Sequence, residues 1–196
     1  GTSLQGKALV EGPQMVADMT LALPDTLTQQ TDTVMTLGAR YHLSNEAYQV
    51  QLDINELDVH QFLPQDSIYG ITAWLKAEGE GFDFFSPRTR LEAQGHVGKV
   101  HYGSYQLNGY DLSAGLENHQ LKASLLADNK TMNLRAHLDG HLKPNDIMAQ
   151  LKMDVAKLDW QALQLMEQSF TTSHQFDFAL QTDLQKRYEL DASLTN

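Results

Sequence analysis

Apolar and polar residues alternate along most of the chain. From Met132 to Leu142 every second residue is apolar or glycine, and the residues between them are Asn, Arg, His and Asp. A repeat of two places successive side chains on opposite faces of a β-strand, so that one face is apolar and the other is polar. Because this alternation recurs along the chain, we predict roughly ten to eleven strands, many of about 10 residues.

Short polar segments separate these predicted strands. They are rich in Gly, Pro, Asn and Asp, the residues that tight turns favour. Because such short connections join antiparallel neighbours, the segments predict an all-β fold built as one long antiparallel meander. They are Gly12-Pro13, Ser44-Asn45, Gly103-Ser104, Glu117-Asn118, Asp128-Asn129 and Pro144-Asn145.

Two short helices are predicted to interrupt the meander. The first is the apolar segment that begins at Asp58 and stops before Pro64. The second runs from Asp159, a predicted N-cap, to Gln168, with apolar residues at helical spacing.

The two interruptions lie in matching sequence contexts. Leu52–Val59 aligns with Met153–Trp160 at an offset of 101 residues, and each segment leaves a predicted strand through Leu-Asp. Such a match indicates a modular array. We predict that residues 1–57 end one module, that 58–158 form a module of about six strands, and that 159–196 begin the next. Together they are expected to form one continuous structural unit, a middle segment of a longer chain.

Charge and composition exclude several classes of function. The chain has 14 Lys and Arg against 25 Asp and Glu, which gives a net charge of −11. An acidic surface of this kind argues against nucleic acid as a partner and against a polybasic membrane surface. The chain has no cysteine, and no stretch approaches the ~18 apolar residues that a membrane-spanning helix needs.

No motif in the sequence points to catalysis. There is no G-x-S-x-G nucleophile motif and no glycine-rich phosphate loop. His137 and His141 share a strand face, but this face is polar and a solvated role is favoured over a metal site. Trp74 also falls on the polar side of its strand, where it faces either solvent or a neighbouring module. We therefore expect no catalytic residue, no metal site, no cofactor and no enzymatic activity.

The apolar face must be covered by something. A β-sandwich covers it with a second sheet, a closed sheet covers it with itself, and a curled trough leaves it for a ligand. Its many Ala and Gly residues and the seven Met suit a trough for acyl chains, because each buried CH₂ contributes about 0.8 kcal/mol. Periodicity alone favours the packed sandwich core.

Several segments resemble the TamB family of AsmA-like translocation and assembly proteins, particularly its large Bacteroidetes members. They are the runs from Phe82 to Leu91, from Gly98 to Leu107 and from Leu112 to Leu116, and the Leu-Asp steps at residues 57–58 and 158–159. The resemblance extends over nearly the whole chain at the level of pattern. It implies a periplasmic location, in a parent protein anchored in the inner membrane, and repeating β-groove (β-taco-like) modules.

The resemblance favours an open groove over the β-sandwich, which remains the alternative with a structural or adhesive role. It implies a hydrophobic groove for lipid transport or for outer-membrane protein assembly, hence roles in membrane biogenesis and protein secretion. The implied partners are lipid acyl chains, neighbouring modules of the same chain, and an outer-membrane assembly barrel reached through other parts of the parent. The expected groove-facing residues are Met35, Leu37, Leu52, Ile54, Ile71, Leu75, Leu121, Leu125, Met132, Leu134, Leu138, Leu151 and Met153.

Overall fold

The computed structural model describes residues 2–24, 31–63, 67–102, 105–161, 166–185 and 187–195. Within these ranges the chain forms twelve β-strands and one short 3₁₀ helix, Val59–Gln61. The strands are β1 (Ser3–Glu11), β2 (Gln14–Pro24), β3 (Thr31–His42), β4 (Ala47–Leu57), β5 (Ile68–Glu80), β6 (Arg90–Tyr102), β7 (Tyr105–Glu117), β8 (Gln120–Asp128), β9 (Met132–Lys143), β10 (Asp146–Asp159), β11 (Thr171–Thr182) and β12 (Tyr188–Thr195).

The twelve strands form one sheet in which the spatial order is the chain order, from β1 to β12. Every neighbouring pair for which a register is described is antiparallel. This confirms the predicted all-β antiparallel meander, with slightly more strands than predicted. The strands belong to a single sheet and not to the two packed sheets of the sandwich alternative. β1 and β12 are the first and last strands in the order of this sheet.

The two predicted helices have different outcomes. At the first position a single 3₁₀ turn forms, and the Asp58 carboxylate caps it by accepting the backbone N–H of His60 at 3.1 Å. The second prediction is wrong at its start, because Asp159 is the last residue of β10 and lies opposite Thr171. Its backbone N–H donates to the carbonyl oxygen of Thr131 at 2.9 Å, and its extended backbone continues the strand through the predicted start of the helix. Residues 162–165 of this prediction lie outside the described residues.

The chain forms two compact units. The first unit consists of Gly1–Glu80 and Ala93–Asn108, and the second of Gly81–Glu92 and Gly109–Asn196. The predicted module boundaries after residues 57 and 158 stay a prediction.

The second unit contains a small hydrophobic core on the apolar face of its strands. Ala127, Leu134, Ala136 and Val155 are all buried, and partly buried apolar residues of the neighbouring strands pack against them. In the first unit, Leu23 and Val34 are the described hydrophobic residues that are buried. Most other apolar positions on the strands are half-buried or exposed.

The two segments of the predicted sequence repeat both carry a β-bulge. The register of β4 on β5 shifts between Ile54 and Leu57, and the register of β10 on β11 shifts between Val155 and Leu158. These positions correspond at the offset of 101 residues that relates the two segments. A bulge adds a residue to one strand and increases the local twist. The sequence repeat therefore marks a repeated distortion of the sheet.

Candidate functional site

The apolar residues of the first unit form rows that cross its strands. Met35 lies opposite Ile54, and Ile54 lies opposite Ala73. Directly opposite residues of an antiparallel pair project to the same face. A second row comprises Gly6, Met19, Leu37, Leu52 and Leu75. All the residues of this unit that the sequence predicts to face a groove share this face: Met35, Leu37, Leu52, Ile54, Ile71 and Leu75.

The second unit repeats the arrangement over more strands. Leu125 lies opposite Ala136 and Ala136 opposite Met153, and the row continues to Phe176 and Leu194. The predicted groove-facing residues of this unit likewise share one face: Leu121, Leu125, Met132, Leu134, Leu138, Leu151 and Met153. The structure thus brings the predicted residues together within each unit, while their role toward a ligand stays a prediction.

Burial along the apolar face is uneven. Leu134 is 9% exposed and Val155 is 5% exposed, whereas Leu75 is 41% and Leu112 is 44% exposed. Leu75 lies on β5 and Leu112 on β7, which are interior strands of the sheet. Their exposure is therefore not an effect of a sheet edge, and part of the apolar face remains accessible to a ligand.

Burial also affects two tyrosines. It raises the pKa of Tyr48, which belongs to the apolar face of the first unit, above its ordinary value of 10.0. Burial likewise raises the pKa of Tyr110, against the smaller opposing effect of a hydrogen bond with Asn129. Both hydroxyls therefore remain neutral to a higher pH than an ordinary tyrosine, as expected for groups beside apolar side chains.

The opposite face of the sheet is polar. His137 lies between Ser124 and Lys152 of the neighbouring strands, and the Nδ1 of His141 lies 2.7 Å from the Nε2 of Gln120. A neighbouring lysine disfavours a cation, so the surroundings of His137 do not suit a metal ion. Within the described ranges, no three His, Asp or Glu residues are grouped closely enough to hold one.

Two cavities open on this polar face. One, of about 320 Å³, lies in the first unit and is lined by residues of β3, β4, β5 and β6, among them Trp74. The other, of about 480 Å³, lies in the second unit and includes His141, Met148 and Glu189. Sequence reasoning missed both cavities, because each is formed jointly by the side chains of several neighbouring strands. The one available signal was a tryptophan at a polar position of the alternation.

Neither family models, nor characterised proteins, nor solved structures give a match to this chain. The resemblance to the TamB family therefore stays an expectation from the sequence. No helix in the part of the chain that the structure describes is long and apolar enough to cross a membrane.

Proposed function

We propose that this chain is a non-enzymatic module whose apolar sheet face binds lipid acyl chains. In this proposal it belongs to a periplasmic protein that bridges the inner and outer membranes and serves lipid transport or outer-membrane protein assembly. Acyl chains lie along the apolar rows while their headgroups remain in water. Neighbouring modules continue the path, and other parts of the parent contact the outer-membrane barrel.

The observation that carries the proposal is the exposure of apolar residues on interior strands. Leu75 is 41% exposed and Leu112 is 44% exposed, although each lies on a strand with a neighbouring strand on both sides. A closed core would cover them, because burying a leucine side chain contributes about 1.5–3 kcal/mol. Because these side chains are uncovered, a ligand that buries them gains this free energy on binding.

The size of the rows fits an acyl chain. The second row of the first unit crosses five strands, from Gly6 to Leu75. At about 4.8 Å between strands, this row is about 19 Å long. One acyl layer of a bilayer is about 15 Å thick, half of the ~30 Å hydrocarbon core. Binding through CH₂ burial needs no specific polar contact, which agrees with the scarcity of polar side chains in these rows.

A second candidate function is a purely structural module with a closed core. It is favoured by the cluster of Ala127, Leu134 and Val155 in the second unit, which is already closed by the neighbouring side chains. In that case the exposed leucines would have no ligand, and the apolar face would serve only to hold the sheet together.

The proposal is tested by native mass spectrometry of the chain purified from a bacterial host, together with binding of the apolar dye N-phenyl-1-naphthylamine. We expect co-purifying phospholipid and dye binding that phospholipid displaces. The variants Leu75→Asp and Leu112→Asp should lose at least tenfold in dye affinity, because a charged group in an apolar row opposes burial of the ligand.

The matched control is Leu126→Asp. Leu126 is 39% exposed, close to the value for Leu112, but it lies opposite Asp111 on the polar face of the neighbouring strand. We expect this variant to bind dye as the unmodified chain does. Equal losses in Leu112→Asp and Leu126→Asp, or a lipid-free chain that rejects the dye, would favour the closed structural module.

A further inference from the structure

The cavity on the polar face of the first unit is built around Trp74. The register places Thr36 opposite Asp53, and Asp53 opposite Trp74. All three line the cavity of about 320 Å³, together with His96 and Gly98. Trp74 is 37% exposed, which is unusual for the largest side chain at a position surrounded by polar groups. A large aromatic surface and several polar groups are thus directed at one space.

Two distortions of the strands accompany this cavity. In β3, Leu21 pairs with Met35 and Ala22 with Thr33, so that Val34 is an extra residue. In β4, the register shifts between Ile54 and Leu57, and Glu56 has a positive φ of 51°. The backbone N–H of Glu56 donates to the hydroxyl of Thr72 at 3.2 Å, which holds this bulge in place. Bulges redirect side chains and are enriched beside functional sites.

We propose that this cavity binds a neutral carbohydrate. The apolar C–H face of a pyranose ring packs on the exposed face of Trp74, because an indole offers a large apolar surface. Hydroxyl groups of the sugar donate to the Asp53 carboxylate and contact Asn55 and Thr36, which line the same space. The volume falls at the lower end of the 300–1,000 Å³ range typical of small-ligand sites, which suits one or two sugar rings.

The charges around Trp74 favour a neutral ligand over an ion. The ammonium of Lys76 lies 5.8 Å from the centre of the Trp74 ring, so the chain supplies its own cation to this indole. A ligand cation would compete with Lys76, and a ligand anion would meet the Asp53 carboxylate. This carboxylate is held in position by the Nε2 of Gln51, which donates to it at 2.8 Å. Trp74, Asp53 and Thr36 belong to the polar face, whereas Met35 and Ile54, which also line the cavity, belong to the apolar rows. Sugar binding at Trp74 does not require the proposed acyl groove.

Gly98 leaves the space that the ligand needs. A Cβ added at this position would lie 3.6 Å from His96 Nε2 and 3.6 Å from Thr72 O, which are ordinary contact distances. A larger side chain here would therefore fill the cavity without forcing the backbone apart. Gly98→Val blocks the site, and valine is well suited to a strand.

The test follows the indole N–H resonances of the ¹⁵N-labelled chain by NMR. The chain has two tryptophans, Trp74 and Trp160, and the Trp160 N–H donates to Thr172 and serves as the internal control. Cellotetraose, maltotetraose and chitotetraose are each titrated to about 10 mM, which detects a Kd near 1 mM. We expect at least one of them to shift the Trp74 resonance saturably while the Trp160 resonance stays in place.

Two variants and one matched control complete the experiment. Asp53→Ala and Gly98→Val should weaken binding at least tenfold, measured on the retained Trp74 resonance. Gly115→Val is the control, because Gly115 lies on the polar face of the second unit, does not line the cavity, and its added Cβ would meet its nearest atom, Leu91 O, at 3.8 Å. This variant should bind as the unmodified chain does.

Three results would overturn the proposal. The first is no saturable shift with any of the three sugars while the amide spectrum remains that of a folded chain. The second is unchanged sugar affinity in Gly98→Val. The third is a shift of Trp74 with tetramethylammonium chloride but with none of the sugars, which would identify a cation site.

Discussion

Two glycines with similar left-handed backbones have different surroundings. Gly70 has a φ of 62° and Gly109 a φ of 67°, and both lie within strands. A Cβ on Gly70 would approach His101 Nδ1 to 2.8 Å, whereas a Cβ on Gly109 would meet nothing within 4 Å. The ring of His101 cannot move freely, because it stacks on Tyr69 and its Nε2 lies 3.2 Å from Gln106 Oε1.

Gly70→Ala should therefore destabilise the chain more than Gly109→Ala. Each substitution carries the left-handed strain of about 1–2 kcal/mol. Only the first also displaces His101, which adds on the order of 1 kcal/mol for the hydrogen bond and the ring contact. Urea unfolding of the two variants measures the difference. Equal free energies of unfolding would show that the His101 ring moves aside without loss of stability.

The half-buried tyrosines predict a loss of stability at alkaline pH. The pKa of Tyr110 is raised in the folded chain, mainly by burial, from an ordinary value of 10.0. A raised pKa means that folding favours the protonated hydroxyl. The contribution of Tyr110 to stability is complete below about pH 10 and is lost as the pH rises through the folded-state pKa.

Tyr110→Phe should reduce this alkaline loss. Phenylalanine cannot ionise, so the free energy of unfolding should fall less between about pH 9 and pH 11 than it does in the unmodified chain. The lost hydrogen bond with Asn129 lowers stability by a similar amount at all pH values below this window. Urea unfolding at a series of pH values separates the two effects, and parallel pH profiles would contradict the assignment.

Among the elements, the loop between β5 and β6 is held by a small hydrogen-bond network. Thr89 is 1% exposed, and its hydroxyl donates to the backbone carbonyl of Asp83 at 2.6 Å. The same carbonyl accepts the N–H of Ser86 at 2.8 Å, and the Asp83 side chain accepts the N–H of Phe85. The loop thus has a defined conformation although Phe82, Phe84 and Phe85 are exposed.

Thr89→Val removes one bond of this network without changing the shape of the side chain. We expect a loss of about 1 kcal/mol, because the Asp83 carbonyl keeps the bond from Ser86. Amide hydrogen exchange in residues 83–89 should become faster. Thr171→Val, at an exposed position at the start of β11, is the control, with an expected change within about 0.5 kcal/mol.

The repeated bulges are the second feature at the level of elements. β3 and β9 begin and end at positions 101 residues apart, and so do the shifts after Ile54 and after Val155. The strands that carry these shifts, β4 and β10, end differently: β4 is followed by a 3₁₀ turn capped by Asp58, and β10 extends to Asp159, which pairs with Thr171. Similar local sequences thus have two outcomes, because Asp159 pairs with Thr171 of β11, whereas Asp58 follows the end of β4.

At the scale of the whole molecule, burial separates a small core from a larger accessible apolar face. The cluster around Leu134 is buried by residues of the neighbouring strands, while the apolar residues of β12 are all exposed. Stability should therefore depend on a few positions. The accessible remainder is the surface that the proposed acyl ligands require.

Leu134→Ala and Leu194→Ala test this separation. Leu134 is 9% exposed and Leu194 is 59% exposed, although both belong to the apolar face of the second unit. The first variant should lose about 2–5 kcal/mol, as expected for a cavity in a packed core. The second should change stability by no more than about 0.5 kcal/mol. Similar losses in thermal and urea unfolding would show that the face is closed over Leu194.

The strands themselves could be predicted from the sequence. Alternation such as that from Met132 to Leu142 defines both a strand and its two faces, because side chains project alternately whatever the neighbouring strands are. Short turns such as Pro144-Asn145 require that the next strand runs antiparallel, because a parallel connection needs a much longer segment. For this reason all thirteen predicted groove-facing residues lie on one face of their units.

Other features depend on groups that are distant in the chain. Leu75 and Leu134 look alike in the alternation, yet one is exposed and the other buried, because burial depends on the groups that pack against each face. Asp159 pairs with Thr171 at the position where a helix N-cap was predicted, and the cavity beside Trp74 exists only where bulged strands meet.

The strands, their faces and their antiparallel order follow from local patterns in the chain, since they depend on periodicity and turn chemistry within a few residues. The extent of burial and the groups that surround Trp74 depend on the tertiary structure. Those properties arise from hydrogen bonds and contacts between strands, and no local pattern encodes them.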